Sequence, residues 1–174
     1  MISRNHLLIA IFFLAAALFG GFLFVRSGRV EVVPPKDRLA PDLSFLNFAG
    51  EVVDLFDFRG KNLVVNAWAS WCPFCRQELL DFASLQKEFG DKIVVLAVNR
   101  QEATEASQQY ADKLGITRDL IFLLDSGDSL YQSIGGFSMP ETIFIDQDGL
   151  IKYHKRGPME REEMRRRVED IFGL

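Results

Sequence analysis

Leu63-Val64-Val65-Asn66-Ala67-Trp68-Ala69-Ser70-Trp71-Cys72-Pro73-Phe74-Cys75 is the stretch that decides the fold. The nearly continuous apolar run from Leu63 to Ala69 is the pattern of a β-strand covered on both faces. After the turn, Leu79, Leu80, Phe82, Ala83, Leu85, Gln86 and Phe89 recur at helical spacing, and Gly90 supplies the stop. A helix is therefore expected from Pro73 to Phe89, with Cys72 at its first turn.

The two cysteines lie three residues apart. A bridge across so short a loop removes little entropy from the unfolded chain, so it suits exchange better than stapling. At a helix start, unpaired amides and the helix dipole favour negative charge, which favours the thiolate of Cys72, the attacking species in exchange. Cys75 lies one turn on, about 60° around the axis, close enough to resolve a mixed disulfide and expected to be the more buried sulfur. Pro73 fits a first helical turn, where its missing N–H would have had no partner, and together with Phe74 it is placed to tune the redox potential. A structural zinc site takes four ligands, and beyond Cys72 and Cys75 this domain offers only the distant His154, so no metal is expected. A Cu(I) site built on the two thiolates needs fewer ligands and stays open as an alternative, with Met139 as a further soft donor.

Other residues carry two readings each. Glu78 follows Cys75 by three positions and either exchanges a proton with that sulfur or stands exposed, complementing the helix dipole. Pro140 precedes a strand, where it either forms a cis bond that exposes the Met139 backbone or belongs to an ordinary loop. Asn66 interrupts an apolar strand and needs hydrogen-bond partners if buried. Trp68 reads as packing, Trp71 as packing or as an exposed rim for a docking peptide, and His154 as an exposed strand residue.

Outward from this stretch, Leu43–Phe48 and Glu51–Leu55 form a hairpin at a sheet edge, turning at Ala49-Gly50. Ile93–Val98 repeats the buried-strand signal, Thr104–Leu114 reads as a helix stopped by Gly115, and Leu120–Leu124 as a strand. This alternation gives parallel crossover units and an α/β class. Thr142–Asp146 and Leu150–His154 make a hairpin through Gln147-Asp148-Gly149. A last helix begins near Pro158 and carries Met164, Val168, Ile171 and Phe172 on one stripe.

The amino-terminal part differs in kind. Residues 7–25 hold no charge and would span about 28 Å as a helix, one bilayer core. The run continues eight residues past Ala15-Ala16-Ala17, which fits an uncleaved anchor better than a cleaved signal peptide. The expected organisation is a leader over 1–6, a transmembrane anchor over 7–25, a proline-bearing tether over 26–40 and a folded domain over 41–174. The positive-inside count, Arg26, Arg29, Lys36 and Arg38 after the span against Arg4 before it, taken alone puts that domain in the cytoplasm. From residue 30 onward 17 basic residues face 24 acidic ones, a formal charge of −7, which argues against nucleic acid as a partner.

The assembled motifs resemble the membrane-tethered thioredoxin-like reductases of bacteria, the TlpA/ResA type, and most closely the DsbE/CcmG cytochrome c maturation branch. The resemblance rests on Ala40-Pro41-Asp42, on Val65 through Glu78 and on Gly136-Phe137-Ser138-Met139-Pro140-Glu141-Thr142-Ile143-Phe144-Ile145-Asp146. It implies a thioredoxin-like fold with a central mixed sheet flanked by helices. It also implies a cis Pro140 beside the cysteines, attack by Cys72, help from Glu78 to Cys75, and substrate docking at Trp71, Pro73, Phe74 and Met139. Asn66 stands where thioredoxins proper carry a buried Asp, which moves proton transfer toward Glu78. The implied redox group is the Cys72–Cys75 pair itself, without a further cofactor. The implied substrate is oxidised apocytochrome c or another exported disulfide protein, and the implied electron source is a DsbD/CcdA-type membrane reductase. The resemblance places the domain outside the cytoplasmic membrane, against the charge count.

Overall fold

The computed structural model describes residues 37–174. The anchor expected over residues 7–25 lies outside them, and among the described residues no helix is long and apolar enough to cross a membrane. The elements are strands β1 (Arg38–Leu39), β2 (Ser44–Asn47), β3 (Val52–Asp54), β4 (Leu63–Trp68), β5 (Val94–Arg100), β6 (Ile121–Asp125), β7 (Glu141–Ile145) and β8 (Leu150–Arg156). The helices are α1 (Cys75–Phe89), α2 (Thr104–Leu114), α3 (Ser129–Ser133) and α4 (Arg161–Phe172).

One mixed sheet runs in the order β1-β8-β7-β4-β5-β6-β2-β3. β4 pairs with β5 and β5 with β6 in parallel, joined by α1 and α2 as the alternating pattern predicts. The β2–β3 hairpin closes one edge, and the β7–β8 hairpin joins the other flank of β4 antiparallel. Arg38 and Leu39, placed by the sequence in the tether, add a short edge strand against β8. Two residues hold no periodicity to read, so this strand and the one-turn helix α3 escaped sequence analysis.

Strand alternation divides β4 between two cores. Val64 and Trp68 face α1, α2 and α4, packing with Leu79, Phe82, Ala111, Met164 and Val168. Leu63, Val65 and Ala67 face the other way, packing with Leu130 and Ile134 of the α3 region and with Ile143 and Ile145. Trp68 stacks on Tyr110 at 5.7 Å between ring centroids and meets Phe122 edge-on at 5.8 Å. Gly115 ends α2 in the left-handed conformation, at φ 71°, where a side chain would be strained.

Because Phe82 is sealed between α1 and the sheet, Phe82→Ala is expected to cost about 3–5 kcal/mol. Val52→Ala, on the exposed edge strand, is expected to stay within about 0.5 kcal/mol. Denaturant unfolding of the two variants side by side checks both values.

Candidate active site

At the C-terminal end of β4 the chain turns into α1, and there Cys72 and Cys75 are joined by a disulfide with their Cα atoms 5.4 Å apart. The helix starts at Cys75 and not at Pro73. The Cys72 carbonyl accepts from the Cys75 amide at 3.3 Å, so Pro73 occupies the second position of a tight turn, where its fixed φ is favourable. The same amide donates to Cys72 Sγ at 3.2 Å. A helix-mouth N–H aimed at that sulfur is the arrangement that favours its thiolate once the bond opens. Cys72 keeps 2% of its surface exposed and Cys75 none, so the inner sulfur is the one the spacing predicts.

Glu78 is buried, which removes the reading of an exposed dipole-complementing carboxylate. Its Oε2 accepts from Asn66 Nδ2 at 2.8 Å and its Oε1 from the Met159 amide at 3.0 Å. Asn66 also donates to Thr142 Oγ1 at 3.0 Å, its cross-strand neighbour on β7. Asn66 lies between Val64 and Trp68 on the α1 side of β4, which is why it reaches a helix residue twelve positions on. Burial pushes the Glu78 carboxyl up to about 8, and the hydrogen bonds from Asn66 and Met159 only partly oppose it.

The Met139–Pro140 bond is cis. Extending the Ala67–Glu141 register by one residue brings the buried Pro140 to the end of β4, next to the cysteine turn. Met139 is half-buried and packs on the core cluster that contains both cysteines. Trp71 (64% exposed), Pro73 and Phe74 (59%) stand out on the cysteine turn, and Phe137 (84%) stands out on the loop before Pro140.

Two further residues were not singled out in the sequence. Glu102, in the loop after β5, accepts from the Ser70 amide at 2.7 Å, from Ser70 Oγ and from Asn99 Nδ2 at 2.6 Å, fixing the chain just ahead of Trp71. Glu141 is fully buried, and His154, expected on the surface, is folded against it with Nε2 2.6 Å from Oε2. Burial raises the Glu141 carboxyl, but hydrogen bonds from His154 and from the Phe137 and Ser138 amides outweigh it and hold the group below its ordinary range. The available signal was a carboxylate inside an otherwise apolar strand run; Glu102 gave none, since a loop has no period. Among the described residues no three His, Cys, Asp or Glu side chains gather as metal ligands would.

The redoxin family model matches residues 35–171. The chain belongs to the redoxin family. It is 34% identical over 151 residues to the thioredoxin-like protein YneN of Bacillus subtilis, covering 86% of this chain and 88% of that one. It is 26% identical over 163 residues to the thiol-disulfide oxidoreductase ResA of Geobacillus kaustophilus, covering 93% and 92%. Its fold matches the crystal structure of a Chlorobium tepidum protein assigned as the thiol:disulfide interchange protein DsbE, with a TM-score of 0.74, 24% identity and coverage of 80% and 99%. The fold is thioredoxin-like, as the motifs imply, and this redoxin is a thiol-disulfide oxidoreductase of the ResA/DsbE type with its cysteine pair at the head of α1.

Burial of Glu78 makes a prediction about stability. Its folded value near 8 stands above the ordinary 4.5, so the folded state holds the proton more tightly than the unfolded chain. Raising the pH from 4.5 toward 8 therefore lowers stability, and below 4.5 this effect vanishes. Denaturant melts of the oxidised protein across that range should show the decline, and Glu78→Gln should flatten it.

Proposed function

We propose that this redoxin reduces the disulfide of apocytochrome c before haem attachment, working outside the cytoplasm. Residues 7–25 anchor it as a single span in the bacterial inner membrane, and a DsbD/CcdA-type membrane reductase recharges it. The observation that carries the reading is a disulfide reachable only at Cys72, with a buried, proton-holding Glu78 one helical turn beyond Cys75. The apocytochrome c substrate is supported by the DsbE/CcmG resemblance of the cysteine and Pro140 motifs, and by similarity to proteins named ResA and DsbE.

The reduced protein begins with a Cys72 thiolate, which attacks one sulfur of the substrate disulfide, and the other substrate sulfur leaves as a thiolate. Cys75 then gives its proton to Glu78, which is ionised in the reduced protein and holds the proton in the disulfide form, and attacks Cys72 Sγ. The second substrate sulfur departs, takes up a proton from solvent, and two electrons have passed from the protein to the substrate. On recharging, one thiolate of the reductase's dithiol attacks Cys72, Cys75 leaves as a thiolate and Glu78 returns the proton to it. The reductase's second thiolate then attacks its own bridged sulfur, so that the reductase ends as a disulfide and Cys72 is released as the thiolate. No other cofactor is required, because the sulfur pair is itself the electron carrier. The exposed Trp71, Pro73 and Phe74, with half-buried Met139, form the docking rim for an extended peptide.

Cys75→Ser removes the resolving sulfur and leaves attack intact. Expressed in its native membrane, it should accumulate a mixed disulfide with apocytochrome c that dithiothreitol releases. Capture of other exported proteins without any apocytochrome c would overturn the substrate, and capture of nothing, with Cys72 still reactive, would overturn the mechanism. Protease added to spheroplasts should digest the domain from outside; protection until lysis would reverse the orientation.

A further inference from the structure

The segment between α3 and β7 has no regular structure, yet its backbone is held at successive residues. Gly135 O accepts from Arg156 Nη2 at 3.0 Å and the Gly136 amide donates to Tyr131 O at 2.7 Å. The Phe137 and Ser138 amides both donate to Glu141 Oε1, at 2.5 and 2.7 Å, and Ser138 O accepts from the Tyr131 hydroxyl at 3.0 Å. A Cβ on Gly136 would fall 2.4 Å from the Tyr131 ring, so the chain lies flat on that ring as only glycine permits. Tyr131 is itself backed by the Arg100 guanidinium, 3.4 Å from its centroid, and Asp128 accepts from Arg100 Nε at 2.6 Å.

Glu141 is the centre of this arrangement. It sits opposite Ala67 in the sheet, and its neighbours Thr142, Ile143, Phe144 and Ile145 are all buried. Burying a carboxylate there is costly, and a Val or Ile would serve packing as well. What the carboxylate adds is an acceptor for two amides of an irregular loop, while its second oxygen is tied to His154. The residue so clamped, Phe137, has its amide fixed and its ring 84% exposed. An aromatic ring on an immobilised backbone, three residues ahead of Pro140, offers contact area at little further entropic cost.

We propose that Phe137 is a specificity-determining contact for the polypeptide substrate, and that Glu141, tied to His154, is the positioning residue that holds the Phe137–Pro140 loop in register for it. The inference rests on the reading of a polypeptide disulfide as substrate, which the experiment tests separately.

The full chain, reduced, is assayed against two oxidants: a peptide carrying an oxidised Cys-x-x-Cys-His segment, and dithionitrobenzoate, which has no surface to dock. The quantity read is the ratio of the two second-order rate constants. In Phe137→Ala and in Glu141→Ala this ratio should fall about tenfold. Glu141→Gln, which keeps an acceptor for both amides, should recover to within about threefold of the original. A merely structural role would move both rates together and leave the ratio in place. An unchanged ratio in Phe137→Ala, or a Glu141→Gln protein as impaired as Glu141→Ala, overturns the proposal. Should Glu141→Ala not fold, His154→Ala takes its place, and an unchanged ratio there overturns the positioning role. An unsubstituted protein that reduces dithionitrobenzoate but not the peptide overturns the substrate reading and this proposal with it, whereas unaltered ratios in proteins active on both overturn this proposal alone.

Discussion

Strand β4 is hydrogen-bonded to a neighbour on each side and covered by a core on each face, so the only place its chain can meet solvent is at its ends. The rest of the structure follows from that constraint. The strand must be apolar along its length, with a polar residue tolerated only where its hydrogen-bond donors find acceptors. The one such residue, Asn66, is turned toward α1 and bound to Glu78 and Thr142. Chemistry is confined to the C-terminal end, where the strand delivers Cys72 to the mouth of the helix.

Two buried carboxylates flank that end from opposite faces of the sheet, and their surroundings drive them apart. Glu78 meets one side-chain amide and one backbone amide, too few donors to offset its desolvation. Glu141 meets two backbone amides and a histidine, and it keeps its charge more readily than a carboxylate in water. One is thus suited to trading a proton and the other to holding a backbone, although both are glutamates buried beside the same turn.

Much of this was legible in the sequence because it depended on period and on local chemistry. Leu63–Ala69, Ile93–Val98 and Thr104–Leu114 announced themselves by their apolar spacing, and Cys72-Pro73-Phe74-Cys75 by its position between a strand and a helix. The burial of Glu78 was not legible, because it depends on Met159, which arrives from 81 residues away. His154 reads as an exposed strand residue until the β7–β8 register sets it diagonally across from Glu141. Glu102 and the strand Arg38–Leu39 lie in segments too short or too irregular for any pattern to register.

The near-complete enclosure of the sulfur pair has a consequence for traffic. Whatever donates electrons and whatever receives them must approach the same edge of Cys72, through the same narrow window, because Cys75 offers no second entrance. The two visitors exclude one another, so turnover proceeds by alternation, each partner leaving before the other can arrive.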